Sequence, residues 1–457
     1  MSTTLDDTLT QYHWTPQPAA AALVRELVEQ FCERNTFAAQ LTADMRDKTG
    51  TRFIDWVDHI AVPRAVANRE RWVEVGFEVT TIDGDECYVH RGGIFPTLLV
   101  SDDNVLQLSI LVESVADFAA VHGFDNIEGE PAAPYRRLMV SEENETKFYV
   151  IERHGYLGFR IQPITPAMSA LIAKHREIFR TRRRTAESEE AAFAYTGKLI
   201  DDAIAEIGQD RACDLFFAAE REYWQRRNRA GRIQYARQAE LGLGWGNDDH
   251  HTYRSSRQHF QRLIALFEKL GFYCRERFYA GRDAGWGAQV LEHPTTEIVI
   301  FADVDMSPDE LRGDFSHEGL EPRQTLGTIG LWCALHGESI LEAGMHHLEC
   351  TFDYALLRDQ LADSHIETMD PFTSFSYLKQ AFTRGEVWHV RPKRIDALLA
   401  AGQITEEQAA QFRAHGAIGS HLENLERNDG FKGFNQEGVS EIITGTDPRR
   451  HLIHAGA

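Results

Sequence analysis

The chain has 457 residues, 43% of them hydrophobic, which is enough for sizeable buried cores and more than one domain. A formal net charge of -22 and a pI near 5.4 argue against nucleic acid or an anionic membrane as partner, because excess carboxylates repel phosphate. No apolar run reaches the roughly 18 residues of a membrane span, the opening MSTTLDDTLTQYHW lacks the features of a secretory signal, and the six cysteines form no CxxC pair. A reduced, cytoplasmic protein is expected.

In chain order, residues 1–50 read as a helical lead, in which PQPAAAALVRELVEQF sets Leu23, Leu27 and Phe31 on one face. Residues 51–165 then carry a β-α-β-β-β rhythm, from FIDWVDHIAVP through ANRERWVEVGFEVTTIDG to KFYVIERHGYLGF. Residues 166–235 are helical. They contain KHREIFRTRRRTAESEE (174–190), whose adjoining basic and acidic runs read as a solvated surface laced with ion pairs.

The rhythm returns in 236–457. DDHHTYR precedes the amphipathic SSRQHFQRLIALFEKLGFYCRERFYAG, and WGAQVLEHPTTEIVIFADVDM supplies two more strands. This echoes DHIAVPRAVANRERWVEVGFEV in the first half: Asp-His, a nearby arginine, a helix, then Gly-Phe. A further copy begins at AGMHHLECTFDYALLRDQL (343–361). Its last strands are expected at VWHVRP and FNQEGVSEIITG, separated by helical sequence, and 305–327 reads as a loop. The fold class expected is α+β, with repeated βαβββ modules forming cupped mixed sheets and additional helical segments.

Strands that each carry one inward ligand can build a two-histidine, one-carboxylate metal site without any short-range motif. Histidines at strand starts are His59, His250, His251, His346 and His347. In VSEIITG, Glu441 shares a strand face with Val439 and Ile443, where a carboxylate is costly unless paired or metal-bound. With 20 histidines in the chain, Asp-His and His-His pairs also arise without purpose. GLGLGWGNDD lacks the GxGxxG order of a dinucleotide site, and GSHLENLERNDG (419–430) lacks a nucleophile elbow.

The segments DDHHTYR, LGFYCRERFYA, WGAQVLEHP and EIVIFADV resemble the 2-oxoadipate dioxygenase/decarboxylase (2-hydroxyglutarate synthase) family of the vicinal oxygen chelate superfamily. The resemblance implies His250 as metal ligand with Arg254, four residues on, as the substrate-binding arginine, and makes His251 point the other way. It implies His347 as second ligand, with His346 the alternative, and Glu441 as third. The implied activity is Fe(II)-dependent oxidative decarboxylation and hydroxylation of a small anionic 2-oxo acid, such as 2-oxoadipate to 2-hydroxyglutarate, using O2.

There are departures. Asp303 stands where relatives carry glutamate. In the first half, VDHIAVPR resembles the superfamily's opening strand, but Tyr149 occupies the slot of the ligand glutamate, Glu152 faces away, and Arg64 is displaced from His59. The 51–165 module is therefore expected to be non-catalytic and 236–457 to be the metal-binding pair, although a site of His59 with Glu113 stays open. Two alternatives also stay open: another divalent-metal enzyme of the superfamily (extradiol-type dioxygenase, isomerase or lyase), and a metal-free binding or scaffold protein. So does homo-oligomerisation.

Overall fold

The computed structural model describes residues 14–281 and 284–435. The helical lead is two helices, Pro18–Arg34 and Thr36–Thr49. Asn35 breaks it: its backbone is extended and its side chain accepts from the Ala38 amide at 3.0 Å, capping the second helix. The buried face of the first helix, Leu23, Val24, Val28 and Phe31, packs into the core of the first sheet with Trp56, Leu108 and Phe148.

The first sheet contains β1 (Val57–Pro63), β2 (Glu78–Ile82), β3 (Asp85–Val89), β4 (Thr97–Ser101), β5 (Leu106–Leu111), β6 (Ile127–Glu128), β7 (Tyr135–Glu143) and β8 (Thr146–Arg153). Its order is β2-β3-β4-β1-β5-β8-β7-β6. The second contains β9 (Asp248–Arg254), β10 (Tyr273–Tyr279), β11 (Trp286–Glu292), β12 (Val299–Asp305), β13 (His347–Thr351), β14 (Thr373–Ser374), β15 (Leu378–Phe382), β16 (Glu386–Trp388) and β17 (Ala417–Arg427). Its order is β10-β11-β12-β9-β13-β17-β15-β14, with β16 on β17.

Both sheets share one connectivity. A central antiparallel pair, β1 with β5 or β9 with β13, is flanked on each side by a parallel partner, β4 and β8 or β12 and β17. Parallel pairing demands a crossover. The helices Arg69–Glu74, Val115–His122, Phe260–Lys269 and Tyr354–Asp363 each follow the first strand of such a run. The result is a mixed α+β protein in which two sheets have related strand orders and helices are interspersed among the strands.

Between the sheets lie Pro166–Thr181, Glu189–Ile207, Gln209–Arg226 and Arg229–Ala239. The basic run is not simply solvated, as expected from its composition. Arg182 and Arg184 converge on the fully buried carboxylate of Glu220 and donate to the carbonyls of Ile340 and Leu341. A guanidinium's several donors can satisfy a carboxylate and orphan carbonyls together, which makes its burial tolerable.

Sequence expected the last strand at FNQEGVSEIITG. Nearly all of that segment lies outside the described residues, among which the last strand is β17, in the segment that includes GSHLENLER. Phe434 and Asn435 lie beyond it in no regular element, and Glu441 lies outside the described residues.

His336 gives a prediction here. It is wholly buried and held against the Ile418 carbonyl at 3.0 Å; burial pushes its imidazole down to about 3 from 6.5, a drop that hydrogen bond only partly opposes. Its folded pKa is depressed, so the unfolded chain binds the extra proton between those values. Its stabilisation is complete above pH 6.5 and is lost as pH falls toward 3. The urea midpoint of H336N is expected to depend less on pH between 7 and 5 than that of the wild type; equal slopes would contradict it.

Candidate metal centre

Strand register builds the site. In the β9–β13 pair, His250 faces Glu349 and Thr252 faces His347; in the β13–β17 pair, His347 sits beside His421 and Glu349 beside Glu423. Side chains alternate along a strand, so His250, Thr252, Arg254, His347, Glu349 and Glu423 share the face that lines a cavity of about 60 Å³. The neighbouring histidines face the other way. His251 packs on Phe217 with ring centroids 5.4 Å apart, and His346 stands edge-on to Trp332 at 5.6 Å.

The donors converge. His250 Nε2 is 3.2 Å from Glu349 Oε1, the same oxygen contacts His347 Nε2, and His347 Nε2 is 3.8 Å from Glu423 Oε2. Donor atoms of His250, Glu349 and Glu423 lie within 4.8 Å of one another. Each is oriented from behind. Asp249 Oδ2 accepts from His250 Nδ1 at 2.8 Å, and Arg427 grips both Asp249 oxygens, at 2.8 and 3.0 Å. Thr252 donates to Glu349 at 2.9 Å, and Gln380 donates to Glu423 at 2.9 Å.

Electrostatics suit a cation. Burial pushes the His250 and His347 imidazoles down, which favours the neutral form that can ligate a metal. Burial also pushes the Glu423 carboxyl up to about 7 and raises Glu349, with Glu423 adding to the latter. Two adjacent buried carboxylates are costly without positive charge between them. Asp249 behaves oppositely: burial would raise it, but Arg427 and His250 outweigh that and hold it well below the usual carboxylate range. Nitrogen and carboxylate donors of this number suit a divalent metal such as iron, manganese or zinc.

Arg254 and Asp303 form the polar wall beside this cluster, with Arg254 Nε 3.9 Å from Asp303 Oδ2. Burial lifts the Asp303 carboxyl to about 8, against the pull of Arg254. Phe278, Trp286, Phe301, Phe372, Phe382 and Phe434 supply the apolar lining.

The structure therefore brings together His250, His347 and Arg254, three residues singled out in the sequence. Glu441, the fourth, lies outside the described residues. The carboxylates beside the histidines are Glu349 and Glu423, neither of which sequence reasoning had chosen. A signal for both exists: the tripeptide His-Leu-Glu occurs at 347–349 and again at 421–423, and period-two alternation sets each histidine and glutamate on one face.

The first sheet carries the same frame without the donors. His59 Nδ1 is 2.6 Å from Asp58 Oδ1, and Arg153 at the end of β8 grips both Asp58 oxygens, at 2.7 and 2.8 Å, as Arg427 grips Asp249. In the registers of Glu349, His347 and Glu423, however, stand Ser109, Gln107 and Tyr149. Ser109 is 3.0 Å from His59 Nε2, and Phe159 covers the ring at 4.8 Å. Glu113 accepts from the Trp245 amide at 3.1 Å, and Glu152 pairs with Arg136.

Removing the carboxylate behind His250 tests its orientation. D249N is expected to weaken metal affinity about 10–100-fold, the usual effect of losing such a partner, with the metal dissociation constant as the readout. An unchanged constant would show that Asp249 only balances Arg427.

Fold and donors together define a mixed α+β protein with a potential metal-binding cluster in its second sheet. No family profile and no curated protein matches the chain. Among solved structures, methylmalonyl-CoA epimerase from Mycobacterium tuberculosis is 13% identical, covering 40% of this chain and 88% of its own, with a TM-score of 0.23. A mutant of 4-hydroxymandelate synthase from Streptomyces coelicolor is 13% identical over 74% of this chain and 95% of its own, with a TM-score of 0.30. The uncharacterized protein YdcJ from Shigella flexneri is 10% identical over 58% of this chain and 74% of its own, with a TM-score of 0.24.

Proposed function

We propose that the chain is a divalent-metal enzyme of the vicinal oxygen chelate kind, built from βαβββ modules, acting on a small organic acid. The observation behind this reading is the convergence of His250, His347, Glu349 and Glu423 on one cavity whose wall also carries Arg254. In this reading His250, His347 and Glu423 come from three adjacent strands and act as the metal ligands. The metal supplies Lewis acidity, or redox chemistry if it is iron. Arg254 clamps a substrate carboxylate through its planar fork, and the phenylalanine lining keeps water from it.

Glu349 decides between two branches. As a fourth ligand it leaves fewer open positions and suits an isomerase or lyase, in which a carboxylate beside the substrate also moves a proton. Turned aside, it leaves a face open to a chelating 2-oxo acid and O2, the oxidative decarboxylation of 2-oxoadipate that the resemblance implies. The test loads the protein anaerobically with Fe(II), adds 2-oxoadipate and shorter 2-oxo acids, and then admits oxygen. O2 uptake matched by CO2 release and a hydroxy acid one carbon shorter supports the oxidative branch. Metal-dependent turnover of an organic acid without O2 supports the other. A protein that binds no divalent metal overturns both and leaves a scaffold.

The Arg254→Lys variant is expected to keep its metal and lose about 1.5–3 kcal/mol of binding to a carboxylate substrate, because lysine cannot reproduce a bidentate contact. Identical steady-state parameters would remove Arg254 from this role.

A further inference from the structure

A second cluster of metal donors lies on the far edge of the catalytic sheet, away from the cavity. Glu268 is in the last turn of the helix Phe260–Lys269, Cys274 follows in the edge strand β10, and His317 comes from the long connection between β12 and the helix Thr328–His336. Their donor atoms lie within 4.8 Å of one another. His317 Nε2 is 2.7 Å from Glu268 Oε1, while its Nδ1 is 2.9 Å from both oxygens of Asp314. A carboxylate on one ring nitrogen directs the other nitrogen's lone pair outward, the arrangement that orients metal-ligating histidines.

The cluster is held in place, although its loop has little regular structure. Residues 306–327 contain only the short turn Glu310–Arg312. Yet Phe315 is buried and stacks on Phe260 at 5.7 Å, Ser316 donates to Gln289 at 2.9 Å, and Gln261 donates to the His317 carbonyl. Three consecutive residues thus fix His317 opposite Cys274. Loops of this length without structure of their own usually need such pinning.

We propose that Cys274, His317 and Glu268 form a second metal site, for zinc or a similar thiophilic divalent cation, which clamps the 306–327 loop to the edge of the second sheet. A sulfur, nitrogen and oxygen donor set selects zinc, whereas the cavity offers nitrogen and oxygen only. Burial, with Glu268 and Asp314 nearby, pushes the Cys274 thiol up to about 12, against the opposing Arg277. A bound cation reverses that balance by stabilising the thiolate. This inference does not depend on the reaction assigned to the cavity.

Cobalt substitution tests it, because a cobalt-bound thiolate gives an intense near-ultraviolet charge-transfer band that nitrogen and oxygen ligands do not. Wild type reconstituted with Co(II) is expected to show the band, and H250A to keep it. C274S is expected to abolish it, and H317Q to weaken or abolish it; His317 is 47% exposed, so that substitution leaves the core untouched. Limited proteolysis within 306–327 is expected to slow when Zn(II) is added to wild type but not to C274S. No thiolate band in wild type, or a band that survives C274S, overturns the proposal, whatever metal the cavity holds.

Discussion

His250→Ala and His347→Ala are each expected to remove nearly all tightly bound divalent metal from the cavity of the second sheet, and any metal-dependent turnover with it, while His59→Ala leaves both unchanged. The three histidines are similar locally: each opens or nearly opens a strand, and His59 and His250 share an aspartate on Nδ1 that is gripped by an arginine. They differ in what stands across the sheet. His250 and His347 meet the carboxylate of Glu349, with Glu423 beside His347, whereas His59 meets the hydroxyl of Ser109. Removing one imidazole leaves crowded carboxylates with one donor fewer, a loss that water replaces poorly in a buried site. Metal analysis by mass spectrometry after purification without a polyhistidine tag, with each variant made in a C274S background so that only the cavity is counted, decides the point. Full occupancy in both H250A and H347A would refute the centre, and a loss in H59A would move it to the first sheet.

Glu423→Gln and Glu349→Gln are expected to move stability in opposite directions with and without metal. Two buried carboxylates share one small space, and burial raises both above their ordinary range. Without metal, an amide relieves that repulsion, and the thermal midpoint of either variant is expected to rise by about 2–4 °C, the effect of roughly 1 kcal/mol in a domain of this size. With metal, loss of an anionic ligand costs affinity, so the metal-induced rise in midpoint shrinks. The size of that shrinkage separates their roles. A ligand at Glu423 makes E423Q lose most of the metal. E349Q loses most of it only if Glu349 is a fourth ligand, and otherwise keeps metal while losing turnover. A metal-induced shift equal to wild type in both variants would show that neither carboxylate is a ligand.

Much of the arrangement was legible in the chain. Asp-His at 58–59 and again at 249–250, each followed by a helix and Gly-Phe, falls in the first strand of each sheet. Arg254 stands four residues after His250, an even separation that keeps both on one strand face. His251, one residue over, turns to Phe217 for the same reason. Tyr149 in place of a ligand glutamate could also be read in advance, and in the structure it occupies the register of Glu423. The two-helix lead was read as one continuous element because the capping Asn35 sits inside an unbroken hydrophobic rhythm.

The last carboxylate was not legible. AIGSHLENLER has two glycines or serines near its start and polar residues on both faces, so it lacks the apolar alternation that marks a half-buried strand. It is a strand because it lies in the middle of the sheet, between β13 and β15, and several of its polar groups find partners there: Glu423 accepts from Gln380, Asn424 donates to the Tyr354 carbonyl, and Arg427 donates to Asp249. The sequence by itself determined the recurring Asp-His, helix and Gly-Phe segments and the shared strand face of His250 and Arg254. These follow from local periodicity, which a chain carries within a few residues. Only the tertiary structure decided that Glu349 and Glu423 complete the cluster, that Arg182 and Arg184 are buried on Glu220, and that His317 meets Cys274. Each of those pairings depends on register between segments tens of residues apart, and register is chosen by the summed packing and hydrogen bonding of whole strands, not by the residues that meet.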